Sequence, residues 1–589
     1  MDTYKKRTHT CGALRAGDAG KTVTLTGWVD ARRDLGGVIF VRLRDRYGTT
    51  QVVFNPQASG DSHLAASELR SEFVVSVTGV VEKRPPEAVN PSMPTGEVDL
   101  IARELTVLNR AETPPFEIAD DVDANEDLRL RYRYLDLRRP VLQRNLMFRH
   151  RLYQVVHRYF DEKDFIEIET PVLMKSTPEG ARDYLVPSRV HAGKFYALPQ
   201  SPQTYKQILM VAGYDRYVQV VKCFRDEDLR ADRQPEFTQI DVEMAFADED
   251  DVFAVVEGFM RRLFTELKGI ELPARIPRMT FREAMERYGS DKPDTRFGME
   301  IGTLNALVGD AGFKVFADAV KAGGVVAGFA VPGAAGLSRS QVDALVDHAK
   351  SLGAGGLATV KWTPDGVESS LEKFLGKELL GKIAAAAGGR QGDLVLIVSG
   401  PSPKAYSILG GLRLEVARRM NLIDESRFDL LWVTEFPLLE YSEEEHRFVA
   451  MHHPFTAPRP SDVPLLDTDP GRAHARAYDL VLNGNEIAGG SIRIHDAALQ
   501  QKVFTLLGIG PEEARRKFGF LLGAFRYGAP PHGGIAFGVD RLVMILTGMK
   551  SIRDVIAFPK TASAASLMDD SPSEVDGAQL KELHIRVIE

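Results

Sequence analysis

Hydrophobic and polar positions alternate in five short runs within residues 1–110. Lys21–Val29, Val38–Asp45 and, more loosely, Thr49–Asn55 are followed by Glu72–Val81 and Glu97–Leu108. Successive side chains of a strand point to opposite faces, so each run predicts a strand with one buried face. With a helical patch at Ala65–Ser71, the pattern predicts a small five-stranded barrel. In the second run Ile39, Val41 and Leu43 share the inward face, while Phe40, Arg42 and Arg44 share the other. An exposed aromatic beside arginines can stack a base and hold its phosphates. A phenylalanine covering the barrel rim between solvated arginines fits the same pattern.

The period then changes. Ala111–Asp123 is acidic and proline-containing, as a linker would be. Leu128–Asp161 reads as helix on either side of a break at Pro140, with an apolar stripe of Phe148, Leu152, Val155 and Tyr159 beside Val156. Phe165–Leu173 reads as a strand broken by Pro171, which cannot donate to a ladder and so belongs at an edge or interface. Pro199–Ala212 predicts a helix capped by Ser201, with Pro202 at its first position and Gln203 and Lys206 on one side.

The densest pattern lies at Tyr217–Asp241. An apolar strand ends in Phe224, Arg225 and Glu227; a charged loop follows, and Phe237, Gln239 and Asp241 return on alternate positions. Two strands thereby carry arginine, carboxylates and an aromatic ring toward one surface, apparatus suited to an anionic, planar ligand. Alone, the stretch reads more readily as a surface hairpin with solvated charges.

From about 281 to 420, glycine and alanine rise and ligand-like constellations vanish, predicting an inserted α/β or α+β module. In Asp479–His495 the dipeptide Asn483-Gly484 predicts a hairpin turn pairing Val481 with Glu486, which puts Asp479 diagonally beside Glu486. Two carboxylates without cysteine or histidine favour Mg²⁺ on phosphates over zinc, although a solvated acidic edge fits the same hairpin. Strict alternation puts Arg493 on the wrong face, so a bulge at Gly489-Gly490 is expected. Gly533–Leu546 runs from a glycine-rich strand into a helix opening at Asp540-Arg541, and it matches neither the dinucleotide fingerprint nor the phosphate loop. After Lys560 the tail is polar and then briefly helical.

Composition narrows the class. A chain of 589 residues exceeds what one core supports, so several domains are expected. No run approaches the ~20 apolar residues of a membrane span, and MDTYKKRTHT leads no secretory signal. Two cysteines, Cys11 and Cys223, exclude a disulfide scaffold and suit a reducing cytoplasm. The net charge of -8 argues against a generic nucleic-acid coat, yet residues 1–110 carry 15 Lys+Arg against 13 Asp+Glu, so a nucleic-acid partner belongs there.

The strand ending near Pro171, the Phe224-Arg225-Asp226-Glu227 stretch and Gly538-Val539-Asp540-Arg541 stand in the order of three motifs. Together they resemble the class II aminoacyl-tRNA synthetases, and a barrel of the OB type narrows this to the aspartate, asparagine and lysine subgroup (subclass IIb). QSPQTYK, MHHPFTAP at Met451–Pro458, GGSIRIH and the insertion resemble the bacterial-type aspartyl-tRNA synthetases over nearly the whole chain. Ala536, where the third motif usually has glycine, is the one departure, and it is small enough to leave the nucleotide floor open.

The resemblance implies a multidomain α+β protein. Its five-stranded OB-type β-barrel would bind the anticodon (1–110), followed by a hinge (111–135). An antiparallel-sheet catalytic domain (136–285 and 421–560) would hold an inserted GAD-like domain (286–420), before a C-terminal extension (561–589). ATP and Mg²⁺ are the implied cofactors, and L-aspartate and tRNA(Asp) the implied partners of a cytoplasmic homodimer with no membrane association. For ATP it implies Arg225, Asp226, Glu227, Gln234, Phe237, Glu486, Gly538, Val539, Asp540 and Arg541, with Arg225, Glu227 and Arg541 catalytic and Phe237 and Arg541 sandwiching adenine. Asp479 and Glu486 would hold the metal. For aspartate it implies Glu179, Ser201, Gln203, Lys206, Arg225, Asp241, Arg493 and either His452 or His453. For the anticodon it implies Arg32, Leu35, Phe40, Gln51, Glu87 and Asn90. Relatives that also charge tRNA(Asn) often carry histidine where Leu35 stands, so leucine points to tRNA(Asp) alone. An enzyme charging both tRNAs, a tRNA-independent amide ligase and a non-catalytic RNA-binding paralogue are the competing readings.

Overall fold

A computed structural model describes residues 4–177, 181–229 and 232–588. The chain divides into two compact units, Met1–Met147 with Arg553–Ser573, and Phe148–Ile552 with Glu574–Glu589.

The first unit holds the barrel. β1 (Thr22–Leu35), β2 (Val38–Asp45), β3 (Gly48–Phe54), β4 (Val74–Lys83) and β5 (Val98–Asn109) close in the order β1-β2-β3-β5-β4. Its core holds Ile39, Val41 and Leu43, as expected from the alternation, together with Leu25, Val52, Val75, Val77 and Leu100. The helical patch lies earlier than expected, at Asp61–Ser67, because Leu69 turns inward to plug the barrel with Phe73. After the linker, Pro140 opens a long helix, α1 (Pro140–Asp161), as a proline at a first helical position can. Leu152, Val155, Val156 and Tyr159 of its stripe are buried and Phe148 is partly so.

The second unit is built on an eight-stranded sheet. In chain order its strands are β6 (Ile166–Glu167), β7 (Arg216–Phe224), β8 (Glu236–Ala245), β9 (Arg278–Thr280), β10 (Leu430–Thr434), β11 (Ala477–Leu482), β12 (Asn485–Ile492) and β13 (His532–Gly538). They lie side by side as β9-β10-β11-β12-β13-β8-β7-β6, antiparallel except at the two edges. The strand expected over Phe165–Leu173 shrinks to two residues at the edge, and Val172 and Leu173 next to Pro171 are exposed. Helices α2 (Gln203–Val211) and α3 (Glu249–Lys268) flank the sheet, and α4 (Val539–Thr547) continues directly from β13. Ser201 does not cap α2; Pro202 occupies the cap position without a side-chain bond, which leaves the Ser201 hydroxyl to the cavity described below.

Between β9 and β10 a five-stranded sheet forms a core of its own. Its strand Val325–Val331 is buried throughout and pairs with the central strand, Leu394–Gly400, and helices lie on both faces of the sheet. No helix among the described residues is long and apolar enough to cross a membrane.

Candidate active site

β8 positions most of the site. Phe237, Gln239 and Asp241 point alternately into one cavity of about 410 Å³, which also takes Ser201, Gln203 and Lys206 from the α2 region, Arg225 after β7, and Arg541 on α4. The same alternation continues one step further, to Glu243, which is fully buried. Sequence reasoning stopped at Asp241 and missed it. The partner strand makes room, since a Cβ at Gly534 opposite would sit 2.1 Å from the Glu243 carboxylate.

Four buried charges form the floor. Lys206 Nζ donates to Asp241 Oδ1 at 2.6 Å and lies 3.2 Å from Glu243. Arg493 grips both oxygens of Glu243, at 3.1 and 3.2 Å, and donates to Ser491 Oγ at 2.7 Å. Two cations and two carboxylates balance, as buried charges must. Burial tends to raise the Glu243 pKa, but Arg493 and Lys206 outweigh it and hold the group down at about 2. Burial prevails at Asp241, whose pKa is raised despite Lys206. The set is incompletely spent. Arginine has five N–H donors, of which three are used here, and lysine has three, of which two are used. Asp241 Oδ2 is buried with no hydrogen-bond partner among the described residues. The floor can therefore still hold one carboxylate and one ammonium.

The acidic pair lies at the other end. Val481 pairs with Glu486 as expected, but the bulge falls at Ile487, between the pairs Leu480–Ala488 and Val481–Glu486, rather than at Gly489-Gly490. The extra residue moves Glu486 onto the face of Gly489, Ser491 and Arg493, so one irregularity turns both Glu486 and Arg493 into the cavity. A Cβ at Gly489 would meet Asp479 Oδ1 at 2.8 Å and Glu486 Oε1 at 3.3 Å, so only glycine lets the carboxylates share that space. The Asp479 charge, then burial, raises the Glu486 pKa. Asp479 Oδ1 has no hydrogen-bond partner among the described residues, and His452 Nε2 lies 3.6 Å from it. Burial works against a charged His452, but Asp479 and Glu486 prevail and raise its pKa. His453 lines the same cavity, accepting from Phe455 N–H at 3.2 Å.

Between the two ends, the Arg225 guanidinium stacks 5.1 Å from the Phe237 ring centre, with its Nε buried and unpartnered among the described residues. Arg541 donates to the Glu486 carbonyl at 2.6 Å and to Asp232 at 3.1 Å. Glu227 pairs with Arg233 at the rim, and Gln234 lines the cavity. Two expectations fall away from the cavity wall, whereas a third residue, Asp540, lines it. Val539 is buried in the core, and Asp226 lies beside Arg182. Asp540 keeps its carboxylate for Arg149 of α1 and the Thr238 amide, which anchors the start of α4. Glu179 lies outside the described residues.

In the barrel, Phe40 is partly buried on the outward face and pairs in register with Arg33 and Val53. Arg44 is not available to phosphates: it is buried against Asp30 at 2.9 Å and Glu72 at 2.6 Å. Arg42 is exposed but also pairs with Asp30. Gln51 donates to Asp99 at 3.0 Å, Asn90 accepts from Ser92, and Arg32 donates to the Ala66 carbonyl at 3.1 Å. Leu35 stands 63% exposed at the end of β1, and Glu87 is exposed on a short helical turn.

The family model "tRNA synthetases class II (D, K and N)" matches residues 125–562. The chain belongs to this family. A second model, "OB-fold nucleic acid binding domain", matches residues 23–108. Similar curated proteins include an aspartate–tRNA(Asp/Asn) ligase of Moorella thermoacetica, 57% identical, covering 98% of this chain and 96% of that one. Another of the same name, from Salinibacter ruber, is 56% identical, covering 100% and 95%. Among solved structures, asparaginyl-tRNA synthetase from Pyrococcus horikoshii shares 20% identity at TM-score 0.59, covering 94% of this chain and 98% of that one. That likeness is one of fold. The chain is thus an aminoacyl-tRNA synthetase with an OB-type barrel joined to a class II catalytic sheet.

Proposed function

We propose that this enzyme is an aspartate–tRNA ligase, which activates L-aspartate with ATP and passes it to the 3′ end of tRNA(Asp). The observation that carries this is the unspent half of the buried floor. Lys206 and Arg493 retain donors for a side-chain carboxylate, and Asp241 Oδ2 retains an acceptor for the α-ammonium. Asparagine would bring a neutral amide and leave cations unpaired in a buried site, a mismatch of the kind that rejects analogues by ~10⁴-fold. The relatives' names support the same substrate.

The chemistry needs no side-chain nucleophile. An oxygen of the aspartate α-carboxylate attacks the α-phosphorus of ATP, the bond to the β-phosphate oxygen breaks, and pyrophosphate leaves. Arg225, with its unpartnered Nε beside Phe237, would meet the charge developing on the α-phosphate and orient the carboxylate. The face of Phe237 is available to adenine once Arg225 turns to the phosphate, with Arg541 on the opposite side. Gln203 and Ser201 would border the ammonium, and Gln234 and Glu227 the nucleotide. The 3′-hydroxyl of tRNA then attacks the adenylate carbonyl and AMP departs.

Asp479 and Glu486 fit a divalent cation. They converge across Gly489, one has an unpartnered oxygen, and hard carboxylate oxygens suit Mg²⁺. When bound, Mg²⁺ would neutralise charge on the phosphate oxygens.

Phe40 would stack an anticodon base, and Gln51 and Asn90 would read base edges after exchanging their present partners. Exposed Ile166, Val172 and Leu173 at the sheet edge support a homodimer through that edge. Two free cysteines support a cytoplasmic location.

On the tRNA, exposed Leu35 favours tRNA(Asp) alone, whereas the relatives' names favour a second reading in which tRNA(Asn) is charged as well. Aspartylation of the two purified transcripts decides: charging of tRNA(Asp) alone supports the first reading, charging of both the second.

A further inference from the structure

A file of three buried side chains runs into the cavity from the start of β13. His532 opens that strand and is wholly buried, and its main-chain carbonyl accepts from the Arg493 amide at 2.9 Å. Its ring Nδ1 lies 2.8 Å from the Pro530 carbonyl, and its Nε2 lies 3.0 Å from Gln207 Nε2. Gln207 Oε1 lies in turn 3.1 Å from Gln203 Nε2. Gln203 and Gln207 stand one helical turn apart on α2 and share one face of it, and of the three only Gln203 lines the cavity.

The first contact sets the direction of every later one. A carbonyl only accepts, so Nδ1 carries the ring proton. Burial lowers the His532 pKa; Glu243 and the Pro530 carbonyl work the other way, and Arg493 and His495 add to the lowering. The ring is therefore neutral at pH 7, and its Nε2 is an acceptor. Only the amide nitrogen of Gln207 can serve it, which turns the Gln207 oxygen to Gln203. Gln203 must then donate, and the end of its amide left for the cavity is the oxygen. A proton on Nε2 instead would turn over both amides and present N–H groups to the ligand.

We propose that His532 is a positioning residue for aspartate, holding the Gln203 oxygen toward the substrate α-ammonium through Gln207. The proposal deepens the reading of the cavity as an aspartate site and rests on it. It separates the groups of the substrate: Lys206, Arg493 and Arg225 meet the carboxylates, and only the ammonium depends on the file.

The test uses the full-length chain in aspartate-dependent ATP–pyrophosphate exchange. The inhibitor is succinate, which keeps both carboxylates of aspartate and lacks the ammonium. His532→Phe keeps a ring beside Phe525, whose centre lies 6.2 Å from that of His532, but removes the acceptor. Gln207→Met cuts the file from α2. Each is expected to raise the KM for aspartate roughly 10-fold and to leave the KM for ATP and the inhibition constant of succinate within about twofold. His532→Gln, which returns an acceptor near the Nε2 position, should restore most of the loss. Equal weakening of aspartate and succinate would mark a structural role and overturn the proposal, as would an unchanged KM for aspartate. If His532→Phe does not fold, Gln207→Met is read alone by the same criteria. Should the native chain show no exchange with aspartate, the functional reading fails first. Nitrogen NMR of the histidine-labelled native chain then judges the file, with the His532 signals assigned by their loss in His532→Gln. A proton on Nδ1 supports it, and a proton on Nε2 overturns it.

Discussion

Arg493 and Glu243 form a two-pronged buried pair, with both carboxylate oxygens gripped at 3.1 and 3.2 Å, and Lys206 leans on the same carboxylate. The pair fixes Lys206 and Arg493, the cations proposed to bind aspartate, in place without substrate. Lys206→Met would leave two carboxylates sharing one cation in a dry floor. It is expected to cost about 3 kcal/mol of stability and to raise the KM for aspartate at least 100-fold. Urea unfolding and pyrophosphate exchange measure the two effects; a variant of native stability and native KM would remove the floor from the account.

The pH dependence follows from the same group. The folded pKa of Glu243 lies near 2, below its ordinary value of 4.5, so its stabilising share is fully present above about pH 4.5. That share, roughly 3 kcal/mol, is lost as pH falls toward 2. Asp241, shifted upward, has the opposite sign and offsets part of it. Glu243→Gln is expected to flatten the decline in unfolding free energy between pH 5 and 3 relative to the native chain. An equally steep decline would show that other carboxylates govern acid unfolding.

Arg149 ties α1 to the start of α4 through Asp540, the neighbour of Arg541, and also bonds Thr238 at 3.0 Å. Arg149→Met should leave the buried Asp540 charge without its cation. The expected result is a loss of about 3 kcal/mol of stability and a KM for ATP that rises more than the KM for aspartate. Equal rises in both would indicate general loosening.

Gly489→Ala places a methyl group where Asp479 and Glu486 converge. Overpacking of about 1–3 kcal/mol there is expected to show as weaker use of ATP and a raised Mg²⁺ requirement. A variant with native Mg²⁺ dependence would argue against the acidic pair as the metal site.

Phe40→Ala isolates the barrel. Losing one stacked base costs about 1–3 kcal/mol, so the KM for tRNA should rise at least several-fold while pyrophosphate exchange is untouched. An unchanged tRNA KM would return Phe40 to a rim-covering role.

Much of this was legible in the sequence because it is written in alternation. The barrel strands and the Phe237, Gln239, Asp241 series each have one face that must be buried or occupied, and a period of two records it. What escaped depends on partners distant in sequence. Arg44 reads as solvated until Asp30 and Glu72 close on it, and the pairing of Asp540 with Arg149 spans too much sequence to be read. Glu243 did carry a signal, being the next step of the alternation. The bulge at Ile487 carried none: the need for a register shift was readable from Glu486 and Arg493, but its place was set by packing across β11.

The most direct test of the central claim is ATP–pyrophosphate exchange by the purified chain with Mg²⁺, comparing L-aspartate with L-asparagine. The account predicts exchange with aspartate and a kcat/KM for asparagine lower by ~10⁴-fold, falling toward parity in Arg493→Ala through loss of the aspartate reaction. Comparable exchange with both amino acids, or none with aspartate, would contradict it.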